Sequence, residues 1–131
     1  MVKRPLWWTL ALVAVTMGLG VALRFGHFGQ PAFVRKYGGS ATWALEIYWV
    51  VSAMARWPGR AAIVSGVIGT AVEFLKLVHT PGLESFRGTL AGVLLLGRFF
   101  SWWDILAYWV AVGFGFAVDL CLLRGWFARR A

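Results

Sequence analysis

Hydrophobic positions along the chain gather into four long runs separated by short polar breaks. The first extends from about Leu6 to Leu23 and carries no charge. The second, from about Tyr37 to Ala55, is interrupted by Glu46. The third, from about Ala61 to Thr80, contains Glu73 and Lys76. The fourth, from about Trp102 to Leu123, has Asp104 near its start and Asp119 near its end. Each approaches the ~20 residues a helix needs to cross ~30 Å of hydrocarbon. Helix is the expected form, because backbone N–H and C=O groups find no partners in lipid. A transmembrane barrel would show alternating segments of ~10 residues, which this chain lacks. The pattern predicts an all-α integral membrane protein with one domain over 1–131. Its spans fall at about 6–23, 37–55, 61–80 and 102–123.

A fifth apolar piece, Gly88 to Gly97, lies between Arg87 and Arg98. It is too short to span and predicts a re-entrant or interfacial helix over about 83–97, with an ordinary amphipathic loop helix as the alternative. Pro81-Gly82 separates it from the third run, and Trp57-Pro58-Gly59 forms a tight turn between the second and third. The first run also has the basic start and the small-residue Gly20-Val21-Ala22 site of a signal peptide. Its apolar stretch is longer than such peptides use, so it is read as a span.

Composition narrows the class further. Hydrophobic residues make up 60% and charged residues 14%, with a mean hydropathy of +0.73. A water-soluble domain carries about 25% charged residues, and this chain has too few to cover a globule. It has too much apolar surface to remain disordered. A net charge of +8 would suggest nucleic acid in a polar chain. Here the basic residues stand between apolar runs and read as topology charges, with no nucleic-acid partner. With four spans, Lys3, Arg4, Arg56, Arg60, Arg124, Arg129 and Arg130 share one side, and Arg24, Arg35, Lys36, Arg87 and Arg98 the other. The bias places both termini in the cytoplasm of a cell with the protein in its inner membrane. Trp7, Trp8, Trp57, Trp102, Trp103 and Trp126 stand at run ends, as interface-anchoring aromatics do. The single Cys121 excludes an intrachain disulfide.

Charges inside the runs need partners, because a charge at the bilayer centre costs at least a few kcal/mol. Helical spacing puts Gly39, Thr42, Glu46 and Ala53 on one face of the second run. It likewise aligns Ala62, Gly66, Gly69, Glu73, Lys76 and Thr80 in the third, and Asp104, Ala111, Gly115 and Asp119, flanked by Tyr108, in the fourth. Small residues on one stripe let helices approach closely. The inference is a bundle with an acidic interior, countered by Lys76 and by Arg87 or Arg98. Simpler readings stand beside it. Glu73 and Lys76, three apart, neutralise each other; Ser101 and Asp104 form a capping box; Asp119 reaches water or Arg124; and His79 is an exposed helix-end histidine.

No phosphate-binding loop, zinc-protease motif or nucleophile elbow is present, and two distant histidines do not suggest a metal site. No catalytic residue, cofactor or metal is assigned. Three stretches carry a resemblance: Phe33-Val-Arg-Lys-Tyr37-Gly-Gly-Ser40-Ala-Thr-Trp43-Ala-Leu45; Val72-Glu73-Phe-Leu-Lys76-Leu-Val-His79; and Arg87 through Gly97 and Phe100 to Asp104 and Tyr108. Together they resemble the bacterial membrane family called domain of unknown function 2809, over nearly the whole chain. The order Glu73, Arg87, Asp104 is also remotely similar to VanZ-like membrane proteins of the cell envelope. The resemblance implies a fold more than an activity. This chain departs from the family pattern at Ser40 (usually Asp), Lys76 (usually Gln) and Glu46 (usually apolar). The departures suggest that Glu46 and Lys76 form a charge pair.

The leading expectation is a non-enzymatic membrane protein that binds an anionic amphiphile, such as a cell-envelope lipid or lipid-linked precursor. Its intramembrane polar cluster comprises Glu46, Glu73, Lys76, His79, Arg87, Arg98, Asp104 and Tyr108, with Arg87 and Arg98 as phosphate-binding guanidiniums. The alternatives are an intramembrane enzyme acting on a lipid phosphate or ester, with Glu73 or Asp104 as base, and a subunit of a homo-oligomeric transporter with Glu46 and Glu73 as proton carriers. A structural subunit of an envelope complex is a fourth.

Overall fold

A computed structural model describes residues 4–55, 57–95, 100–124 and 129, without the side chains of 94, 95 and 122–124. Helix α1 spans Leu6–Phe25, α2 Ala32–Met54, α3 Pro58–Leu75, α4 Pro81–Arg87, α5 Leu90–Leu95 and α6 Trp102–Val118. A π-helical turn, Asp119–Arg124, continues α6. The described residues contain no strand.

Local chemistry sets the helix ends. Pro5 and Pro31 precede α1 and α2, and Pro58 and Pro81 open α3 and α4, where a missing N–H costs nothing. Gln30 closes α1 by donating to the carbonyls of Leu23 at 3.1 Å and Gly26 at 2.9 Å. Helix α2 starts five residues before the apolar run does, because Arg35 and Lys36 are good helix formers and only Pro31 stops it. Helix α3 ends at Leu75, short of the expected Thr80. The Arg87 guanidinium takes the carbonyls of Leu75 at 2.7 Å and Val78 at 2.8 Å, so the chain leaves the helix there. Thr80 then caps α4 by accepting the Leu83 N–H at 3.3 Å.

The expected helix over 83–97 is two short helices. Gly88 and Thr89 divide them, and the Thr89 hydroxyl accepts the Gly92 N–H at 3.0 Å. The pair is folded tightly enough that a Cβ at Gly92 would overlap the Phe86 carbonyl.

Helix α2 is the centre of the bundle and packs on α1, α3 and α6, while α3 also packs on α6. Small residues make these approaches possible, as the stripes predicted. A Cβ at Gly66 would run into the Trp109 ring, one at Gly69 would meet Tyr108 at 3.2 Å, and one at Gly20 would meet Thr42 at 2.6 Å. The Trp109 indole N–H donates to Thr70 at 3.0 Å, holding its ring across α3. The core combines Tyr48, Trp49 and Tyr108 with Ala44, Ala61, Ala111 and Val112.

Polarity is inverted relative to a protein in water. Arg4, Glu73, Lys76, Arg87, Asp104 and Asp119 are buried, whereas Leu6, Leu10, Val15, Ile63, Val110 and Phe114 lie more than half exposed. Leu6–Phe25 and Trp102–Cys121 are long and apolar enough to cross a membrane, two helices where the apolar runs suggest four. Helices α2 and α3 have lower hydropathy because they carry the polar interior, including Glu46, Tyr48 and Ser52 on α2 and Ser65 and Glu73 on α3.

Two glycines of α6 separate packing from propensity. Gly115 faces Leu45 at 2.7 Å and Tyr48 at 2.9 Å from a built Cβ, and Gly113 faces open space. Thermal unfolding of the purified protein should show Gly115→Ala destabilising by about 1–3 kcal/mol through overpacking. Gly113→Ala should be neutral or stabilise by up to about 1 kcal/mol through helix propensity.

Candidate functional site

Three elements meet at Glu73. Its side chain is fully buried, and both carboxylate oxygens are engaged. Oε1 accepts the Ser101 backbone N–H at 2.7 Å. Oε2 accepts the Tyr108 hydroxyl at 2.9 Å and lies 2.7 Å from Lys76 Nζ. Lys76 also stands 3.8 Å from Asp104 Oδ2, and the Ser40 hydroxyl donates to Asp104 Oδ1 at 3.2 Å. Asp104 and Tyr108 reach the cluster together because four residues place them on one face of α6. The end of α3, the start of α6 and the start of α2 are thereby joined.

Two sequence expectations change here. Lys76 is held by Glu73 and Asp104, so the expected Glu46–Lys76 ion pair is not formed; the carboxylates on α3 and α6 are the nearer partners. Nor does Asp104 close a capping box with Ser101. The N–H of Ser101 goes to Glu73 across the bundle, no side-chain cap forms at Ser101, and Asp104 turns inward.

Arg87 belongs to an adjoining group. Besides capping α3, it donates to Glu84 Oε1 at 2.9 Å, and the same oxygen lies 2.9 Å from His79 Nδ1. The His79 hydrogen bond first, and the Arg87 bond second, hold the exposed Glu84 carboxyl below the usual carboxylate range. His79, Glu84, Arg87, Lys76 and Phe100 border a cavity of about 430 Å³. Arg98 lies outside the described residues.

A second polar cluster closes the opposite end of α2. Arg4 forms a buried ion pair with Asp119 Oδ1 and donates to Ser52 Oγ at 2.7 Å and the Trp49 carbonyl at 3.3 Å. Tyr48 donates to Asp119 Oδ2 at 2.8 Å, and the Arg4 guanidinium lies 5.3 Å from the Trp49 ring centroid. Arg4 is therefore an interior ion-pair partner and not only a topology charge, and Asp119 pairs with it in place of water or Arg124. One signal was available: in an antiparallel bundle, the start of the first helix and the end of the last share a level.

Glu46 is separate from both clusters. It lines a chamber of about 390 Å³ bounded by Thr16, Gly20 and Arg24 of α1, Ser40 and Trp43 of α2, Lys76, Ala91 and Val93 of α5, and Tyr108. Lys76 therefore borders both cavities. Arg24, also counted only as a topology charge, is the chamber's second cation. Among the described residues no group of His, Cys, Asp and Glu is arranged to hold a metal ion.

Removing Lys76 leaves two buried carboxylates without their shared counter-charge, a loss of about 3 kcal/mol or more. Unfolding of Lys76→Met should show that cost. Combined with Glu46→Ala the losses should add within about 0.5 kcal/mol, whereas combined with Glu73→Gln they should depart from additivity by about 1 kcal/mol or more.

A family model described as "Protein of unknown function (DUF2809)" matches residues 29–114. The match takes in the whole Glu73 cluster and leaves out Arg4, Arg24 and Asp119. No solved structure matches the chain.

Proposed function

The chain belongs to this family of proteins of unknown function, and from that premise we propose a four-span membrane protein that binds an anionic amphiphile without chemical conversion. The inverted polarity supports the membrane reading. Six charged side chains are buried while large aliphatic and aromatic side chains cover the outside, the arrangement that lipid favours and water penalises. In this reading α1, α2, α3 and α6 are the spans, α4 and α5 lie at one interface, and both ends of the chain face the cytoplasm of a bacterial cell.

One observation carries the ligand reading. The chamber wall is mainly apolar, and Arg24 on it makes no ion pair with any described residue. A guanidinium at a membrane interface is suited to a phosphate or carboxylate, to which it donates two parallel hydrogen bonds. The seat is thus moved from Arg87 to Arg24. Arg87 is engaged by α3 and Glu84, and Lys76 by Glu73. Both oxygens of Glu73 are likewise engaged within the protein, which supports a structural role for this carboxylate.

Dioleoylphosphatidylglycerol should raise the melting temperature of the detergent-purified protein by roughly 5 °C near saturation. Arg24→Gln should abolish the rise and leave the lipid-free melting temperature unchanged. Equal rises in the two proteins, or none in the wild type with any anionic lipid, would overturn the seat.

The span count has its own check. In a Cys121→Ser background, Gly59→Cys and Gly82→Cys occupy the first turns of α3 and α4, with open space around them. A membrane-impermeant maleimide should label them from opposite sides of sealed vesicles; labelling from one side would refute four spans.

A further inference from the structure

The chamber has two charged groups that the fold itself does not use. The hydroxyl groups and the ammonium that also line it are engaged within the protein. Thr16 Oγ1 accepts the Trp49 indole N–H at 3.1 Å, and the Thr42 hydroxyl donates to the carbonyls of Gly38 and Gly39 at 2.9 Å. Ser40 bonds Asp104 at 3.2 Å, and Lys76 and Tyr108 both bond Glu73, at 2.7 Å and 2.9 Å. Arg24 remains, with no partner among the described residues. Glu46 remains too, its Oε1 enclosed by protein and without a hydrogen-bond partner among those residues.

Their spacing is set by α2. The Arg24 side chain lies at Gly39, with Cδ and Nη1 in ordinary contact range of a Cβ built there. Glu46 is seven residues further along the helix, which at 1.5 Å per residue is about 10 Å deeper in the bundle. A ligand with an anionic head and a purely apolar tail would satisfy Arg24 and leave the Glu46 carboxylate facing hydrocarbon. An enclosed carboxylate without a donor is strongly disfavoured.

We infer that the ligand is bipolar: its anionic group sits on Arg24, and about 10 Å along an apolar body it carries a hydroxyl or ammonium that donates to Glu46. The inference rests on the anionic-amphiphile reading and sharpens it to a class, the hydroxylated or aminated long-chain amphiphiles. Arg24 selects for the head, and Glu46 favours chains that bring a donor over those that do not.

Three probes of equal length test this by calorimetric titration into the full-length protein in detergent: decanoate, 10-hydroxydecanoate and 10-aminodecanoate. The two donor-bearing probes should bind about tenfold more tightly than decanoate, the ordinary worth of a hydrogen bond to a charged group. Glu46→Leu should erase the difference and leave decanoate binding intact. Glu46→Gln preserves the shape and an acceptor oxygen, so it keeps the hydroxyl preference and loses the extra affinity for the ammonium; this arm decides if the leucine variant does not fold. Equal affinities of all three for the wild type would mean that water serves Glu46, and would overturn this inference alone. A preference that survives in Glu46→Leu would do the same. Failure of all three to bind would count against the ligand reading itself.

Discussion

A carboxylate withdrawn from water has to be met on both oxygens, and Glu73 is met from three directions. The Ser101 amide fixes the entry into α6, Tyr108 fixes the rotation of that helix, and Lys76 fixes the exit from α3. Asp104 and Ser40 extend the contact to α2. The apolar core also joins several helices, but dispersion has little direction and a charge-assisted hydrogen bond has a great deal. The cluster therefore acts as a register mark: a helix displaced by one residue would leave a buried charge unmatched.

The Arg4–Asp119 cluster does the same at the other end. Tyr48 and Ser52, four residues apart on α2, bond Asp119 and Arg4 respectively, so the start of α1 and the end of α6 are clamped to the central helix. Between the clamps, helix contact is made by glycine, alanine and aromatic rings. The polar groups at the ends carry orientation, and the small residues between them carry proximity. The chamber is lined by α1 and α2 and lies beside α5. The family match covers the Glu73 clamp but neither Arg24 nor the Arg4–Asp119 pair. The register device thus lies within the matched region, and three of the charges assigned or clamped here, Arg4, Arg24 and Asp119, lie beyond it.

Much of this organisation is legible in the chain. The glycine and alanine stripes on α3 and α6 and the coincidence of carboxylates with those stripes follow from helical period alone. So does the meeting of Asp104 with Tyr108. That Lys76 pairs with Glu73 and Asp104, and not with Glu46, was only partly readable, since the three-residue spacing offers Glu73 alone. Lys76 had three acidic candidates on packing faces, and sequence spacing ranks only those within its own helix. Arg87 was legible as an important guanidinium but not as a cap for α3, since that role depends on α4 folding back across the α3 terminus. Arg4 and Arg24 were counted for sign and not for level, which hid one as an interior ion-pair partner and the other as a chamber cation.

By itself, then, the sequence determined the helical class, the polar interior and the close-packing faces, because these depend on period and composition along one strand of chain. The tertiary structure decided which charge meets which. It split the short apolar piece at Gly88, stopped α3 at Leu75, and chose Glu73 and Asp104 over Glu46 for Lys76. Those outcomes depend on distances between helices, and a buried charge takes whichever partner the packing brings within about 4 Å. Arg24 and Glu46 were left facing a common chamber by that same packing.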